Sequence, residues 1–325
     1  MSGFVFVHGP NGWFPLKIQA ILLAAGQGSR LRPLTEVTPK VALPLLDIPL
    51  GAFGLSLLGS YRPLIVNTSH LSDAAVAALV PYGLAEGEVF LEGATALGTA
   101  GTLKALENRL ADTFITLNAD ELTDVLPASV LAAHARTGAA ATVAVRRVGE
   151  GADLVVEGER VTQFIDRRER STAGAAFIGL AVFSRAVLSL IPKGEVQGIA
   201  ESLLRPLIER GEVASYMHDG YALDVGTPAR YLAASLDLLH GVGPRPPMPF
   251  PGRLIEVGVE GTAYVGPGAT VGENSLGRGA IVLAGARVEG RVQDSVVWPG
   301  ATVASGESLS RSIRFSTQTI ATTPT

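Results

Sequence analysis

Residues 18–40 read IQAILLAAGQGSRLRPLTEVTPK. An apolar run with branched side chains leads into a loop that contains two glycines, and cationic residues follow the loop. Because glycine lets backbone N–H groups approach an anion closely, the stretch predicts a buried strand followed by a phosphate-binding loop. Arg30 and Lys40 would then neutralise the charge of a triphosphate. A tight strand-to-helix turn with solvated cations is the alternative interpretation.

The loop matches neither of two common phosphate-binding fingerprints. Its string GQGSRL (26–31) lacks the third glycine of the dinucleotide motif G-x-G-x-x-G. It also lacks the Gly-Lys-Ser/Thr that ends a P-loop. The nature of the phosphate ligand therefore has to be inferred from the rest of the chain.

Apolar runs that favour strands alternate with helical patterns in the first part of the chain. The runs are IQAILLA (18–24), PLIVN (63–67), VFLE (89–92) and FITLN (114–118). The helical patterns begin at Ser72, Thr99 and Pro127, of which the first two are predicted N-caps. This alternation predicts an α/β fold with a Rossmann-like, mostly parallel sheet and helices on both faces. Ligands of such sheets bind beyond the carboxyl ends of the strands, where residues 25–40 would lie.

The middle of the chain changes pattern. Strands follow one another directly through residues 140–183, which predicts an antiparallel insert that could form a platform for a second ligand. Helical patterns return at 199–211 and 227–240. In the second of these, Thr227 is a predicted N-cap and Pro228 occupies the first helical position.

The C-terminal part shows a repeat. The segment GVGPRPPMPFPG (241–252) is dense in proline and glycine, which predicts a linker. Beyond it, apolar residues recur six positions apart within three groups: Val259, Val265 and Val271; Val282 and Val288; Val297, Val303 and Leu309. A period of six predicts a short left-handed parallel β-helix of hexapeptide repeats. The longer gaps between the three groups predict irregular corners.

The composition excludes several classes of protein. A net charge of −4 provides no basic surface for nucleic acid or an anionic membrane. Prolines and glycines interrupt the apolar run at 41–60, so we expect no membrane span there. The chain contains no cysteine, which excludes disulfides, thiolate metal sites and cysteine nucleophiles and favours a cytoplasmic location.

The stretch LAAGQGSRLRPLTEVTPK (23–40) resembles the signature of the sugar-1-phosphate nucleotidyltransferases, also called nucleotide-sugar pyrophosphorylases. Similar strings follow in the expected order: LGTAGTL (97–103), FITLNADELTD (114–124), VTQFIDRRE (161–169), AAFIGLAVFS (175–184) and YALDVGTPARYL (221–232). The resemblance implies an enzyme that joins a nucleoside triphosphate to a sugar 1-phosphate, releases pyrophosphate and uses Mg²⁺. The LGTAG form is most similar to the mannose-1-phosphate guanylyltransferases. The expected parts are an N-terminal extension (1–17), a nucleotidyltransferase domain (18–240), a linker (241–252) and a β-helix domain (253–325).

The resemblance also assigns residues to the nucleotide. It implies catalytic roles for Arg30, Lys40 and Asp120. It implies nucleotide contacts for Leu23, Ala24, Ala25, Gly26, Gly28, Ser29, Arg30, Glu92, Gly98 and Thr99. In-line attack on the α-phosphorus gathers negative charge on the oxygens around it, so fixed cations aimed there would lower the barrier.

Two aspartates are candidate magnesium ligands. Asp120 follows the run FITLNA, and Asp224 follows YAL. Carboxylate oxygens suit Mg²⁺, which commonly uses one or two carboxylates together with water and phosphate oxygens. A helix cap or turn is the alternative role for either residue alone. Within the family pattern both become metal ligands, and we expect them to converge around one ion.

Glu92 is a candidate for reading the base. It closes the run VFLE, and its carboxylate could accept hydrogen bonds from guanine N1–H and the neighbouring amino group. A solvated glutamate at a strand end is the alternative.

The sugar side departs from the family pattern. The resemblance places Asp166, Arg167 and Gly179 at the sugar phosphate, but the family usually has Glu and Lys where this chain has Asp166 and Arg167. Arginine binds phosphate as a planar fork rather than a point charge. Ile178 and Ala119 also differ from the residues that the family usually shows.

Two functions therefore compete: a nucleotidyltransferase, and a regulatory subunit that senses sugar nucleotides and has lost turnover. An acyltransferase activity in the β-helix is rejected, because such enzymes generally use a histidine base and all five histidines precede the repeats. The β-helix would instead pack on the catalytic domain or mediate formation of a homo-oligomer.

Overall fold

A computed structural model describes residues 4–9, 12–93, 95–165, 174–194, 196–259 and 261–322, with backbone only for residues 4–9 and 12–17. The α-helices are α1 (Leu34–Val37), α2 (Leu50–Leu58), α3 (Ser72–Leu79), α4 (Gly98–Ala105), α5 (Pro127–Thr137), α6 (Arg205–Glu209) and α7 (Pro228–Leu239). The strands before α7 are β1 (Phe4–Gly9), β2 (Gly12–Leu23), β3 (Pro44–Leu45), β4 (Ile48–Pro49), β5 (Leu64–Thr68), β6 (Val89–Leu91), β7 (Thr113–Asn118), β8 (Glu121–Thr123), β9 (Ala141–Val148), β10 (Leu154–Glu157), β11 (Arg160–Phe164), β12 (Gly174–Ser184), β13 (Val213–Met217) and β14 (Ala222–Asp224). The strands after α7 are β15 (Arg253–Val257), β16 (Gly261–Val265), β17 (Thr270–Val271), β18 (Ala280–Val282), β19 (Arg287–Val288), β20 (Arg291–Gln293), β21 (Ser295–Val297), β22 (Thr302–Val303), β23 (Ser308–Ser310), β24 (Ser312–Phe315) and β25 (Gln318–Ala321).

The chain divides into two compact units, each made of two segments. The first unit comprises Met1–Gln27 with Gly54–Ala222, and the second comprises Gly28–Phe53 with Leu223–Thr325. The boundary between Gln27 and Gly28 falls inside the glycine-rich loop. The domain limits inferred from changes in sequence pattern stay a prediction. They are continuous ranges, whereas these two units each combine two separate segments that pack together.

The first unit is built on one mixed sheet, with strand order β10-β11-β13-β9-β12-β7-β2-β5-β6 and β1 paired to β2. Strand β2 runs parallel to β5 and β7, β5 runs parallel to β6, and β9 runs parallel to β13. Strand β12 is antiparallel to β7, β9 and β10, and β11 is antiparallel to β10 and β13. The predicted antiparallel insert is confirmed. The expectation of a mostly parallel sheet is wrong, because the insert pairs directly with the parallel strands and extends their sheet.

Register brings three strand ends together in this unit. Leu23 at the end of β2 pairs with Asn67 of β5 on one side and with Asn118 of β7 on the other. The sheet is well packed beneath these ends, since Ile21 is fully buried and the rings of Phe114 and Phe183 stack at 5.6 Å. The loops after β2, β5 and β7 therefore start from a fixed edge, as expected for parallel strands.

Helix starts follow the prediction only in part. Thr227 caps α7, and its hydroxyl oxygen accepts a hydrogen bond from Arg230 N at 3.3 Å. The cap of α3 is Leu71 rather than Ser72, whose hydroxyl donates to Ser69 O. The cap of α4 is Leu97 rather than Thr99, because the backbone turns into the helix at Gly98 with a φ of 73°. Within the described part of the chain, no helix has the length and apolar character to cross a membrane.

The second unit contains the C-terminal repeats. Strands β16, β18, β21 and β24 pair in parallel, as do β17, β19 and β22, and β20 with β23. In the first of these sheets Tyr264 pairs with Ile281, Ile281 with Val296, and Val296 with Ile313. Successive strands of this sheet are thus offset by 17, 15 and 17 residues rather than by the 18 residues of three regular hexads.

Candidate functional site

In the first unit, the Asn67 side chain holds the start of the glycine-rich loop. Ala24 N donates to Asn67 Oδ1 at 2.7 Å, directly after β2 ends. The next residue is held as well, because Ser69 Oγ donates to Ala25 O at 2.8 Å. Gly26 is exposed, and a Cβ added to it would meet nothing within 4 Å. The backbone of the loop is thus anchored at its base and open at Gly26, as an anion cradle requires.

The carboxylate of Glu92 accepts hydrogen bonds from two side chains and one backbone N–H. Its Oε1 accepts from Asn67 Nδ2 at 2.6 Å and from Thr102 Oγ1, and its Oε2 accepts from Leu97 N at 2.8 Å. The solvated strand-end role is therefore not what the structure shows. Each carboxylate oxygen has two lone pairs, so Oε2 retains capacity for a further donor. Recognition of guanine by Glu92 stays a prediction.

The segment that contains Gly98 and Thr99 is held by backbone hydrogen bonds to Gln197. Gln197 N donates to Leu97 O at 2.9 Å, and Ala100 N donates to Gln197 O at 3.0 Å. Gly98 has a φ of 73°, and a Cβ there would collide with the Gln197 backbone. Glycine is required here both for the left-handed backbone and for this close approach.

Asp120 stands at the same edge of the sheet as the glycine-rich loop. It follows β7 by two residues, and Ala119 N donates to Leu23 O at 3.0 Å. Gly179, with a φ of 72°, packs beside this turn, since a Cβ on it would lie 3.2 Å from Asn118 Cβ and 3.1 Å from Glu121 Cβ. The half-buried Asp120 carboxyl is thus positioned by backbone contacts on both sides.

In the second unit, the other half of the loop forms a compact turn. Gly28 has a φ of 63° and precedes a 3-10 turn at Ser29–Leu31. Thr35 Oγ1 donates to Gly28 O at 2.8 Å, and a Cβ on Gly28 would lie 2.9 Å from Thr35 Cγ2. Ser29 and Arg30 remain exposed at this turn.

Three cations surround the carboxylate of Asp224. Arg230 Nη1 lies 3.0 Å from Asp224 Oδ2, and Arg30 Nη2 and Lys40 Nζ each lie 4.0 Å from an oxygen of the same carboxylate. The Arg30 side chain is 62% exposed, whereas the Lys40 side chain is 11% exposed. Among these four side chains positive charge is in excess, which suits a polyphosphate.

Gly226 makes room for this cluster. A Cβ at position 226 would lie 2.8 Å from Asp224 Oδ1 and 2.9 Å from Arg30 Nη2. The next residue, Thr227, caps α7, and Arg230 lies in the first turn of that helix. The strand-to-helix turn therefore sets the positions of both Asp224 and Arg230.

Hard oxygen donors of the kind that Mg²⁺ prefers are present in each unit, as Asp120 in the first and Asp224 in the second. Among the described residues, no three His, Cys, Asp or Glu side chains form a metal-binding group. A magnesium ion that arrives with a triphosphate needs only one or two carboxylates, so this donor chemistry fits. The expected convergence of Asp120 and Asp224 stays a prediction.

Asp166 and Arg167, predicted at the sugar phosphate, lie outside the described residues. Three further residues of the site were missed from the sequence: Asn67, Thr102 and Arg230. Asn67 is the polar residue that closes the apolar run PLIVN (63–67), which is a sequence signal that could have been used. Arg230 stands three residues after the Thr227 cap, a spacing that places it in the first turn of the helix.

Comparison with known proteins places these observations in a wider context. A family model described as nucleotidyl transferase matches residues 19–241. Mannose-1-phosphate guanylyltransferase of Mycobacterium tuberculosis is 30% identical over 309 residues, which cover 89% of this chain and 82% of the relative. UTP–glucose-1-phosphate uridylyltransferase of Synechocystis is 25% identical over 335 residues, covering 87% and 85%.

Solved structures share the fold. HddC from Yersinia pseudotuberculosis complexed with GMP-PN superposes with a TM-score of 0.57 at 17% identity. The match covers 68% of this chain and 99% of HddC. At this identity the likeness concerns the fold alone.

Proposed function

The chain belongs to the nucleotidyl transferase family, and we propose that it transfers a nucleotidyl group from GTP to mannose 1-phosphate. The products are GDP-mannose and pyrophosphate: a sugar-phosphate oxygen attacks the α-phosphorus, and the bond to the pyrophosphate oxygen breaks. The assignment of substrates rests on the similarity to the mycobacterial enzyme, which is named for this activity.

The observation that carries the proposed chemistry is the group of cations around Asp224. Lys40 and Arg30 would move onto the phosphate oxygens when substrate binds, and Asp224 and Arg230 would keep them oriented beforehand. Charge develops on nonbridging and leaving oxygens during the transfer, so these cations would stabilise the transition state more than the ground state. In the first unit, Gly26 and the anchored backbone at Ala24 and Ala25 would cradle the nucleotide.

Asp120 and Asp224 would hold Mg²⁺ together with the triphosphate. When bound, this ion would neutralise charge on the phosphates and on the departing pyrophosphate. The protein's own contribution is to present two carboxylates from turns whose backbones are fixed by neighbouring strands and helices.

Glu92 supports the choice of guanine, because Oε2 retains capacity to accept a base N–H. Gly98 and Thr99 would lie beside the base or ribose. Asp166, Arg167 and Gly179 would bind the sugar phosphate, with the arginine fork replacing the usual lysine.

Two other functions are the alternatives. Another sugar-1-phosphate nucleotidyltransferase, with uridylyl or thymidylyl specificity for glucose 1-phosphate, is favoured by the similarity to the Synechocystis enzyme. A regulatory subunit with weakened turnover is favoured by the departures at Ala119 and at Asp166-Arg167-Arg168.

A coupled pyrophosphate-release assay separates these functions. GTP, UTP, dTTP and ATP are each paired with mannose 1-phosphate and glucose 1-phosphate, with Mg²⁺ and with EDTA. We expect the fastest release from GTP with mannose 1-phosphate, and none in EDTA. A preference for UTP or dTTP with glucose 1-phosphate would move the assignment to the first alternative, and no release from any pair would favour the regulatory subunit.

We further propose that the three parallel sheets of the C-terminal segment form a left-handed β-helix, as hexapeptide repeats do. Their parallel registers support this, and exposed coil faces would mediate self-association. A reducing, cytoplasmic location is consistent with the absence of cysteine. Light scattering of the full chain across a concentration series tests the oligomer.

A further inference from the structure

Residues 28–53, which carry Arg30 and Lys40, belong to the same compact unit as the C-terminal repeats. Within this unit one acidic side chain joins the two segments. Asp47 Oδ2 accepts a 2.9 Å hydrogen bond from the Tyr264 hydroxyl, and Asp47 Oδ1 accepts a 2.9 Å hydrogen bond from Ala284 N. Both partners lie in the repeats, more than 200 positions further along the chain.

The residues around this contact are shaped to hold it. Asp47 stands at the tip of the β3–β4 hairpin with a φ of 64°, a left-handed conformation that Asp and Asn tolerate better than most side chains. Tyr264 is fully buried, and its hydroxyl oxygen also accepts from Gly252 N at 2.9 Å. Gly266 packs so closely that any Cβ there would collide with the Asp47 carboxylate.

The hairpin is connected to Lys40 by a short, hydrogen-bonded stretch of backbone. Lys40–Ala42 forms a 3-10 turn, Leu43 N donates to Lys40 O at 3.2 Å, and Leu50 N donates to Leu43 O at 2.9 Å. A second anchor is Tyr231 of α7, whose hydroxyl donates to Pro44 O at 2.6 Å. Displacement of the hairpin tip would therefore be transmitted to the backbone at Lys40.

We infer that Asp47 is a positioning residue for the proposed nucleotidyl transfer: it ties the segment that bears Arg30 and Lys40 to the C-terminal repeats. The inference rests on the proposed function for its catalytic consequence, and on the Asp47 contacts alone for the anchoring. The repeats would thereby take part in holding the cations.

The electrostatics argue against a role in stability alone. Burial raises the pKa of the Asp47 carboxyl above its ordinary value, and the hydrogen bonds from Ala284 and Tyr264 only partly oppose this effect. Folding therefore disfavours the ionised form of this carboxyl. A carboxylate that is costly to bury and holds a hairpin near cations is better explained by positioning.

The test compares three single variants of the full chain. Asp47→Asn keeps the size and the left-handed backbone, but it loses the charge and replaces the oxygen that accepts from the Tyr264 hydroxyl by an N–H donor. Tyr264→Phe removes the same contact from the side of the repeats. Glu307→Gln is the matched control, because Glu307 likewise accepts from one backbone N–H, of Ala304, and from one side chain, of Arg314, but both of these partners lie within the repeats.

Steady-state kinetics and hydrogen exchange are measured on each variant. We expect Asp47→Asn and Tyr264→Phe to lower kcat about tenfold, with KM for the triphosphate within about twofold, because misplaced catalytic groups lose transition-state contacts first. Amide exchange of residues 40–50 should rise in both variants. Glu307→Gln should change neither measurement.

Wild-type kcat in Asp47→Asn, or an equal loss in Glu307→Gln, would overturn the inference. If the wild-type chain releases no pyrophosphate with any substrate pair, the proposed function fails. Amide hydrogen exchange of residues 40–50 then still tests whether Asp47 anchors the hairpin. In that case unchanged protection of residues 40–50 in Asp47→Asn would reject the anchoring, and raised exchange would support it.

Discussion

Asn67 binds Glu92 and Ala24 with the two ends of one amide. Its Nδ2 lies 2.6 Å from Glu92 Oε1, and its Oδ1 lies 2.7 Å from Ala24 N. A single side chain at the end of β5 therefore couples the glycine-rich loop to the proposed reader of the base. Neither residue can shift without disturbing the other.

Replacing Asn67 by Asp should weaken base selectivity. The new carboxylate still accepts from Ala24 N but faces Glu92 with a like charge, so Glu92 has to move or take up a proton. We expect the ratio of kcat/KM for GTP to that for UTP to fall about tenfold, or roughly 1.4 kcal/mol. The ratio cancels any loss of folded protein. Ser69→Ala is the control, since it loosens the loop at Ala25 without contacting Glu92, and an unchanged ratio in Asn67→Asp would refute the coupling.

Lys40→Met should abolish most turnover while the fold persists. The Lys40 side chain is 11% exposed, and methionine keeps its length and apolar packing while removing the charge. A cation that acts on transition-state oxygens is typically worth about 3 kcal/mol, so kcat should fall about 100-fold or more. The midpoint of urea unfolding should change little.

The exposed Arg32 in the same segment provides the comparison for Lys40. Arg32→Met removes one positive charge nearby and is expected to retain near-normal kcat. Full activity in Lys40→Met, or equal losses in the two variants, would contradict a specific role for Lys40.

Gly226→Ala should impair the cluster around Asp224. The added methyl group would press on Asp224 Oδ1 and Arg30 Nη2, both within 3.0 Å, and these flexible side-chain ends would move aside. Since Gly226 is not in a left-handed conformation, the backbone is not strained, and we expect about a tenfold loss of kcat with nearly normal thermal stability. Gly149→Ala, where a Cβ meets nothing within 4 Å, serves as the control. Wild-type kinetics in Gly226→Ala would show that the cluster has no catalytic role.

His134 should make stability depend on pH. Burial lowers the pKa of its imidazole from 6.5 to about 4, and the ring lies 3.0 Å from Thr142 Oγ1. As the pH falls below 6.5 the unfolded chain binds the proton first, so the free energy of unfolding should decrease by up to about 3 kcal/mol between pH 6.5 and 4. Urea titrations across this range should show the slope in wild type and a flatter dependence in His134→Gln. Identical slopes would assign the pH dependence to other groups.

Much of the architecture could be predicted from local patterns. The alternation of apolar runs with helical periods predicted where strands and helices lie along the first part of the chain. The six-residue spacing predicted strands that pair in parallel in the C-terminal part. The relative direction of the strands was mispredicted. A local sequence pattern does not reveal that β12 pairs antiparallel with β7 and β9 of the same sheet. The predicted N-caps Ser72 and Thr99 are also wrong. The Ser72 hydroxyl donates to Ser69 O instead, and the backbone of Gln197 holds the start of α4.

The residues of the candidate site likewise divide into those that the sequence predicted and those that it did not. Glycines, cations and acids next to strand ends were recognisable because phosphate and metal chemistry limits which residue types can serve. Asn67 and Arg230 were missed because an asparagine or arginine acquires a role only from the partner that the fold brings to it.

What the sequence determined by itself is the type of element at each place and the chemistry carried by the residues that follow the strands, since backbone propensity and side-chain functional groups are local properties. Only the tertiary structure decided that residues 28–53 pack with the C-terminal repeats, that Asp47 meets Tyr264, and that Glu92 is held by Asn67. Such contacts depend on which surfaces become buried together, and burial is a property of the whole chain.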